Sequence, residues 1–185
     1  MWIAIYYIFC YLVFGYTMLL MLSYLYLVYM SRLSQKHITV NLPDDDTIKY
    51  FLQGSPLTPA VSIIAPAFNE EVTILDNVNS MMQIDYPNFE IIIVNDASTD
   101  RTMELLINEY KLVEVPYDIA MKVQSKPIKR VLKSTDPKYS KLVVVDKEHG
   151  GKKADGSNAG INVCNNKYFV CTDVDCIIEP MALIV

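Results

Sequence analysis

The chain has 185 residues, with sixteen basic side chains against twenty-one acidic ones and a net charge of −5. That length suits one modest domain plus an appendage, and the mildly acidic balance offers no electrostatic footprint for nucleic acid.

Residues 1–30 contain no charged side chain, and Arg32 is the first. Thirty helical residues span about 45 Å, enough to cross a hydrocarbon core of about 30 Å with tilt. Tyrosines near the two ends, such as Tyr6, Tyr7, Tyr26 and Tyr29, suit the headgroup level. A cleaved signal peptide requires a basic n-region, a short apolar core and a small-residue cleavage site. This segment has no early Lys or Arg, its apolar run is too long, and no Ala-x-Ala follows. Residues 1–30 therefore read as one retained transmembrane helix, in contact with membrane lipid. Arg32, Lys36 and His37 follow it, and the positive-inside rule then places the remainder in the cytoplasm, at the cell (inner) membrane. Of the four cysteines, Cys10 lies in the span and Cys164, Cys171 and Cys176 lie near the C-terminal acids. No pair has zinc-ribbon spacing, so free thiols are expected.

Residues 31–59 read as a juxtamembrane connector. Pro43-Asp44-Asp45-Asp46 and Gly54-Ser55-Pro56 are turn chemistry, with a short helical turn between them at 48–52.

From residue 60 the pattern alternates. Ala60 to Ala65 is an apolar run of strand type; Glu70 to Met82 has helical spacing, with acids in its first turn; Phe89 to Val94 is a second apolar strand. Ser98 or Thr99 is expected to cap a helix that ends at Tyr110, and Leu112 to Val115 to form a third strand. Residues 116–140, broken by Pro116, Pro127 and Pro137 and carrying Lys122, Lys126, Lys129, Arg130 and Lys133, read as a solvated connection. Leu142 to Val145 is a strand, Lys153 to Val163 a helix, Tyr168 to Thr172 a strand entering the core, and Glu179-Pro180 the start of another helix. Near-continuous apolar strands between amphipathic helices predict an α/β fold: a Rossmann-type, mostly parallel sheet with helices on both faces. Ligands of such sheets lie outside the carboxyl ends of the strands.

Three of those strand ends carry acids. Pro66-Ala67-Phe68-Asn69-Glu70-Glu71 follows the first strand, Asn95-Asp96-Ala97-Ser98-Thr99-Asp100 the second, and Asp173-Val174-Asp175 the last. Two carboxylates one residue apart repel unless a cation neutralises them, and hard oxygen ligands at that spacing suit Mg²⁺ or Mn²⁺. Helix capping is the plain alternative for the first two segments, though Asp96 lies two residues ahead of the cap at Ser98. Between them, Gly150-Gly151-Lys152-Lys153 precedes a helix start, which favours anions. The Walker A order and Gly-x-Gly-x-x-Gly are both missing, and His149 is given no role.

Together the segments Val61–Glu71, Ile93–Asp100, Gly150–Gly160 and Thr172–Asp175 resemble the family 2 glycosyltransferases, in particular the membrane-bound processive polysaccharide synthases that make cellulose, chitin, hyaluronan or poly-N-acetylglucosamine. The resemblance covers residues 60–185. It implies a GT-A-like fold, truncated here to the nucleotide-sugar-binding part, and a nucleotide-sugar donor, usually UDP-linked. It also implies a divalent cation, Mg²⁺ or Mn²⁺, and inverting transfer of a hexose or N-acetylhexosamine to a growing glycan acceptor. By the same resemblance Pro66, Phe68, Asn69 and Glu70 line the nucleotide pocket and Asp96 binds base or ribose. Lys153, Asp155 and Asn158 lie beside the donor, Asp173 faces the nucleotide, and Asp173 and Asp175 hold the metal. The family often has one lysine after the paired glycines where this chain has two, so Lys152 and Lys153 stay open. The general base and a Gln-x-x-Arg-Trp segment are expected beyond Val185, and these 185 residues alone are expected to be inactive. The rival readings are a non-catalytic nucleotide-sugar-binding module or partner subunit, and a nucleotidyltransferase. The latter is disfavoured because Pro66-Ala67-Phe68-Asn69 stands where such enzymes carry a glycine-rich loop.

Overall fold

A computed structural model describes residues 2–39, 45–55 and 57–184. The side chains of Lys36 and His37, the start of the expected turn at Pro43, and Pro56 and Val185 lie outside the described set. The chain divides into two compact units, Met1–Asp44 and Asp45–Val185.

The first unit is one helix, α1 (Trp2–Thr39), running past residue 30. Its Trp2–Gln35 portion is long and apolar enough to cross a membrane. Large apolar side chains are exposed all round it.

The second unit opens with α2 (Asp45–Gly54), longer than the single turn expected. Six strands follow: β1 (Val61–Ala67), β2 (Phe89–Asn95), β3 (Leu112–Val115), β4 (Ile128–Ser134), β5 (Leu142–Lys147) and β6 (Tyr168–Cys171). They form one sheet in the order β3-β4-β5-β2-β1-β6. β5, β2, β1 and β6 are mutually parallel, while β4 is antiparallel to both β5 and β3. β4 therefore runs against the other five.

The strands in the middle are largely apolar because both faces are covered. Ile63, Ala65, Ile91, Ile93, Leu142 and Val144 pack with Ile74, Val78 and Met81 of α3 (Ile74–Met82) and with Leu106 and Tyr110 of α4 (Thr102–Tyr110). The alternate residues Ile64, Ile92, Val94, Val143 and Val145 pack with Ala159 and Val163 of α5 (Lys153–Val163). Here α5 comes close to β1. A Cβ on Gly160 would run into Ile64 and sit 3.3 Å from Val94, and one on Gly156 would lie 2.9 Å from Pro66.

The structure departs from expectation at five further places. First, α3 begins at Ile74, not Glu70. The amides of Glu70 and Glu71 donate to Thr102 and Asp100, and these bonds hold residues 70–73 in a turn outside the helix. Second, α4 begins at Thr102. Ser98 is occupied with the Asn69 amide, and Asp100 Oδ1 accepts from the Thr102 amide instead. Third, residues 116–140 hold β4, which sends Leu132 to one core and Val131 to the other. Fourth, β6 is an edge strand with all four residues exposed, so it borders the core rather than entering it. Fifth, Glu179-Pro180 opens turns closed by i+3 bonds, Ala182 N–H to Glu179 O and Ile184 N–H to Met181 O, not a helix.

The close approach at Gly160 sets a measurable limit. Gly160→Val is expected to destabilise the protein by about 1–3 kcal/mol through overpacking, read as a lower midpoint in urea.

Candidate functional site

The carboxyl ends of β1, β2 and β5, the start of α5 and the turn after β6 enclose a cleft of about 520 Å³. Pro66, Phe68 and Glu70 reach it from β1, Asp96 from β2, and His149, Gly151, Lys152 and Lys153 from the β5–α5 connection. Asp173, Val174 and Asp175 close it from β6.

The first two loops are laced together. Ser98 accepts from the Asn69 amide at 3.0 Å, Asn69 Oδ1 accepts from the Thr99 amide at 2.8 Å, and Glu71 Oε2 accepts from the Arg101 amide at 3.0 Å. The lacing bends the backbone sharply, with φ at +57° for both Asn69 and Ala97. Asparagine tolerates the left-handed region, whereas alanine is strained there.

Lys147 lies beneath the cleft. Its side chain is wholly buried, and its Nζ lies 2.5 Å from Asp96 Oδ1 and 2.6 Å from Asp155 Oδ2 and donates to the Glu148 carbonyl at 2.5 Å. The Gly150 amide also donates to Asp96 Oδ1, at 2.9 Å. Burial by itself would raise the Asp155 carboxyl. The Lys147 ammonium and the Lys126 amide outweigh that burial and hold the carboxyl below the usual carboxylate range. Asp100 is likewise lowered: burial opposes, but hydrogen bonds from Thr102 and from the Glu71 amide prevail.

At the cleft mouth Lys153 pairs with Asp173. Ligand atoms of Asp173, Asp175 and Cys176 lie within 4.8 Å of one another, all on exposed residues. Two carboxylates on one turn facing the cleft fit a hard divalent cation.

Of the residues singled out from sequence, Pro66, Phe68, Glu70, Asp96, Lys153, Asp173 and Asp175 meet in this cleft, and so does Lys152. Asn69, Asp155 and Asn158 do not line it. Asn69 laces the two loops, Asp155 holds Lys147 under the floor, and Asn158 Nδ2 donates to the Gln124 carbonyl, across a second hollow shared with Lys126. Sequence reading passed over Lys147 and His149. Lys147 ends an apolar strand, and a lysine in that place demands a buried partner. His149 gave no comparable signal.

Residues 62–118 match the family model of glycosyl transferase family 2. Over those residues the chain belongs to that family. Its curated relatives include poly-beta-1,6-N-acetyl-D-glucosamine synthases. That of Staphylococcus epidermidis is 31% identical over 122 residues, covering 66% of this chain and 23% of the relative. That of Staphylococcus aureus (strain COL) is 27% identical over the same shares. The chain thus spans about a quarter of the length of these relatives. Among solved structures, a mannosyltransferase from Pyrobaculum calidifontis, in complex with GDP-Man and Mn²⁺, superposes with a TM-score of 0.50 at 21% identity, over 75% of this chain and 36% of that one. This likeness bears on the fold.

Two outcomes follow from the buried charges. Lys147→Met leaves Asp96 and Asp155 without their cation and is expected to destabilise by about 3–5 kcal/mol, measured by urea denaturation. The depressed carboxyls of Asp155 and Asp100 stabilise the fold above the unfolded carboxylate pKa of about 3.9, and lose that contribution as pH falls through their lower folded values. Thermal midpoints should therefore drop below about pH 4, with a shallower drop in Asp155→Asn.

Proposed function

We propose that this chain is the donor-binding portion of an inverting, metal-dependent membrane glycosyltransferase. It would move a hexose or N-acetylhexosamine from a nucleotide sugar, most simply a UDP-sugar, to a growing polysaccharide. One observation carries the reading: a single cleft joins a carboxylate held by a buried lysine, a lysine-bearing helix start and a pair of exposed acids. The names of the relatives, synthases of poly-N-acetylglucosamine, favour an N-acetylhexosamine.

Each wall has a chemical task. Asp96, paired with Lys147, accepts hydrogen bonds from the N–H or O–H groups of base or ribose. The start of α5 supplies free amides and the positive end of the helix dipole, where a diphosphate is favoured, and Lys152 and Lys153 add two cations there. Asp173 and Asp175 would hold Mg²⁺ or Mn²⁺, which supplies charge stabilisation for the leaving diphosphate. Attack by an acceptor hydroxyl on the anomeric carbon, opposite the diphosphate, would invert its configuration. On this reading these 185 residues bind the donor and do not transfer it. Residues 1–30 sit in the lipid of the cell membrane with the cleft on the cytoplasmic side, residues 31–59 connect, and residues 60–185 form the donor-binding unit.

Calorimetric titration with UDP and Mn²⁺ tests the proposal. Asp175→Ala is expected to weaken Mn²⁺-dependent UDP binding about tenfold or more, at least ~1.4 kcal/mol. An affinity that ignores both the ion and the substitution would remove the metal role.

A further inference from the structure

His149 sits in the cleft in an arrangement that the lacing, the buried lysine and the acids do not account for. Its ring stacks on Phe68, with centroids 5.1 Å apart and planes inclined by 32°. Its Nδ1 lies 3.2 Å from the Asp96 carbonyl oxygen and 3.3 Å from Asp96 Oδ2. A carbonyl and an ionised carboxylate only accept, so Nδ1 carries the hydrogen. Asp96 Oδ1 is already taken by Lys147 and by the Gly150 amide. Oδ2 is thus the oxygen left for a ligand, and His149 is on it.

An aromatic ring face against Phe68 and a ring N–H aimed at Asp96 is also the description of a bound nucleobase with an imide edge. We propose that His149 occupies the nucleobase slot of the free protein and that the donor's base must displace it. The inference rests on reading the cleft as a nucleotide-donor site and adds a residue that competes for that site. The contact is built to yield. The His149 side chain is 54% exposed, its polar contacts are longer than the 2.5 Å Lys147–Asp96 pair, and Gly150 and Gly151 follow it, the latter at φ +70°. Lys147 by contrast stays buried and keeps Asp96 in place while the imidazole leaves. The slot further favours bases with a ring N–H beside a carbonyl, as in uracil and guanine. Cytosine and adenine present an unprotonated ring nitrogen to the carboxylate there.

The test is UDP binding by the 185-residue chain in detergent with Mn²⁺, comparing wild type, His149→Ala and His149→Gln, with melting curves to confirm that each variant folds. Emptying the slot is expected to tighten UDP binding about three- to tenfold. The chain has two histidines, His37 and His149, so the His149 imidazole proton resonance is identified by its loss in His149→Ala. That resonance should shift on adding UDP or GDP, and not on adding CDP or ADP at the same concentration. Weaker UDP binding by the folded variants would overturn the inference, because His149 would then be helping to hold the ligand. Unchanged affinity with an unmoved resonance would overturn it as well. If wild type and variants alike bind no nucleoside diphosphate, the donor-site reading fails and takes the inference with it.

Discussion

Everything around the cleft is organised by a buried ammonium group. Lys147 closes β5, where any residue of the strand is covered on both faces, and a cation there is tolerable only if paired. Its two carboxylates come from opposite directions in the chain: Asp96 follows β2 and Asp155 lies in the first turn of α5. The pairing therefore fixes the spacing between a strand end and a helix start, and those two walls define the cleft. The constraint extends further. Asp155 also accepts from the Lys126 amide, and Asn162 of α5 accepts from the Lys122 and Val123 amides while donating to the Val123 carbonyl. The lysine-rich stretch before β4 is thus strapped along α5, although its own side chains are largely exposed.

How much of this was legible in the sequence depends on whether the signal was periodic or relational. The apolar strands β1, β2 and β5 and helix α5 were visible because each carries its own pattern, and the α5 boundaries agree to the residue with those expected. β4 was hidden because only Ile128, Val131 and Leu132 are apolar among lysines and an arginine, and the sheet, not the segment, supplies the partners that make it a strand. The starts of α3 and α4 were misjudged for a related reason. Ser98, Asp100 and Asn69 have the chemistry of caps and turns, but two loops thirty residues apart use them on each other, and a one-dimensional reading cannot see such a partner. The same holds at the site. Acids at strand ends could be located from sequence, whereas the division between residues that face the cleft and those that hold its walls, such as Asp155 and Asn69, exists only in three dimensions.

Ala97 shows what the lacing demands. A non-glycine residue at φ +57° carries about 1–2 kcal/mol of steric strain. Its neighbours Asp96 and Ser98 are both committed, one to Lys147 and the other to Asn69. The chain between them has no freedom to relax. Strain of this kind persists where surrounding contacts over-determine the backbone, and here it lies next to the carboxylate whose placement the cleft needs.

The lysines of the site differ in kind, and burial decides the difference. The Lys147 pairs are sealed from water, so removing either partner strands a charge, and no ligand can compete for them. Lys153 and Asp173 are 58% and 48% exposed, and an exposed pair contributes little net stability. It can exchange for better partners at small cost: a diphosphate for the lysine and a divalent cation for the aspartate. Lys152 lies in the same cleft in extended backbone just ahead of α5, and Lys153 begins the helix itself. On the proposed reading, the pair that closes the mouth of the free cleft consists of the two groups that a nucleotide sugar and its cation would separate, while the floor beneath them stays locked.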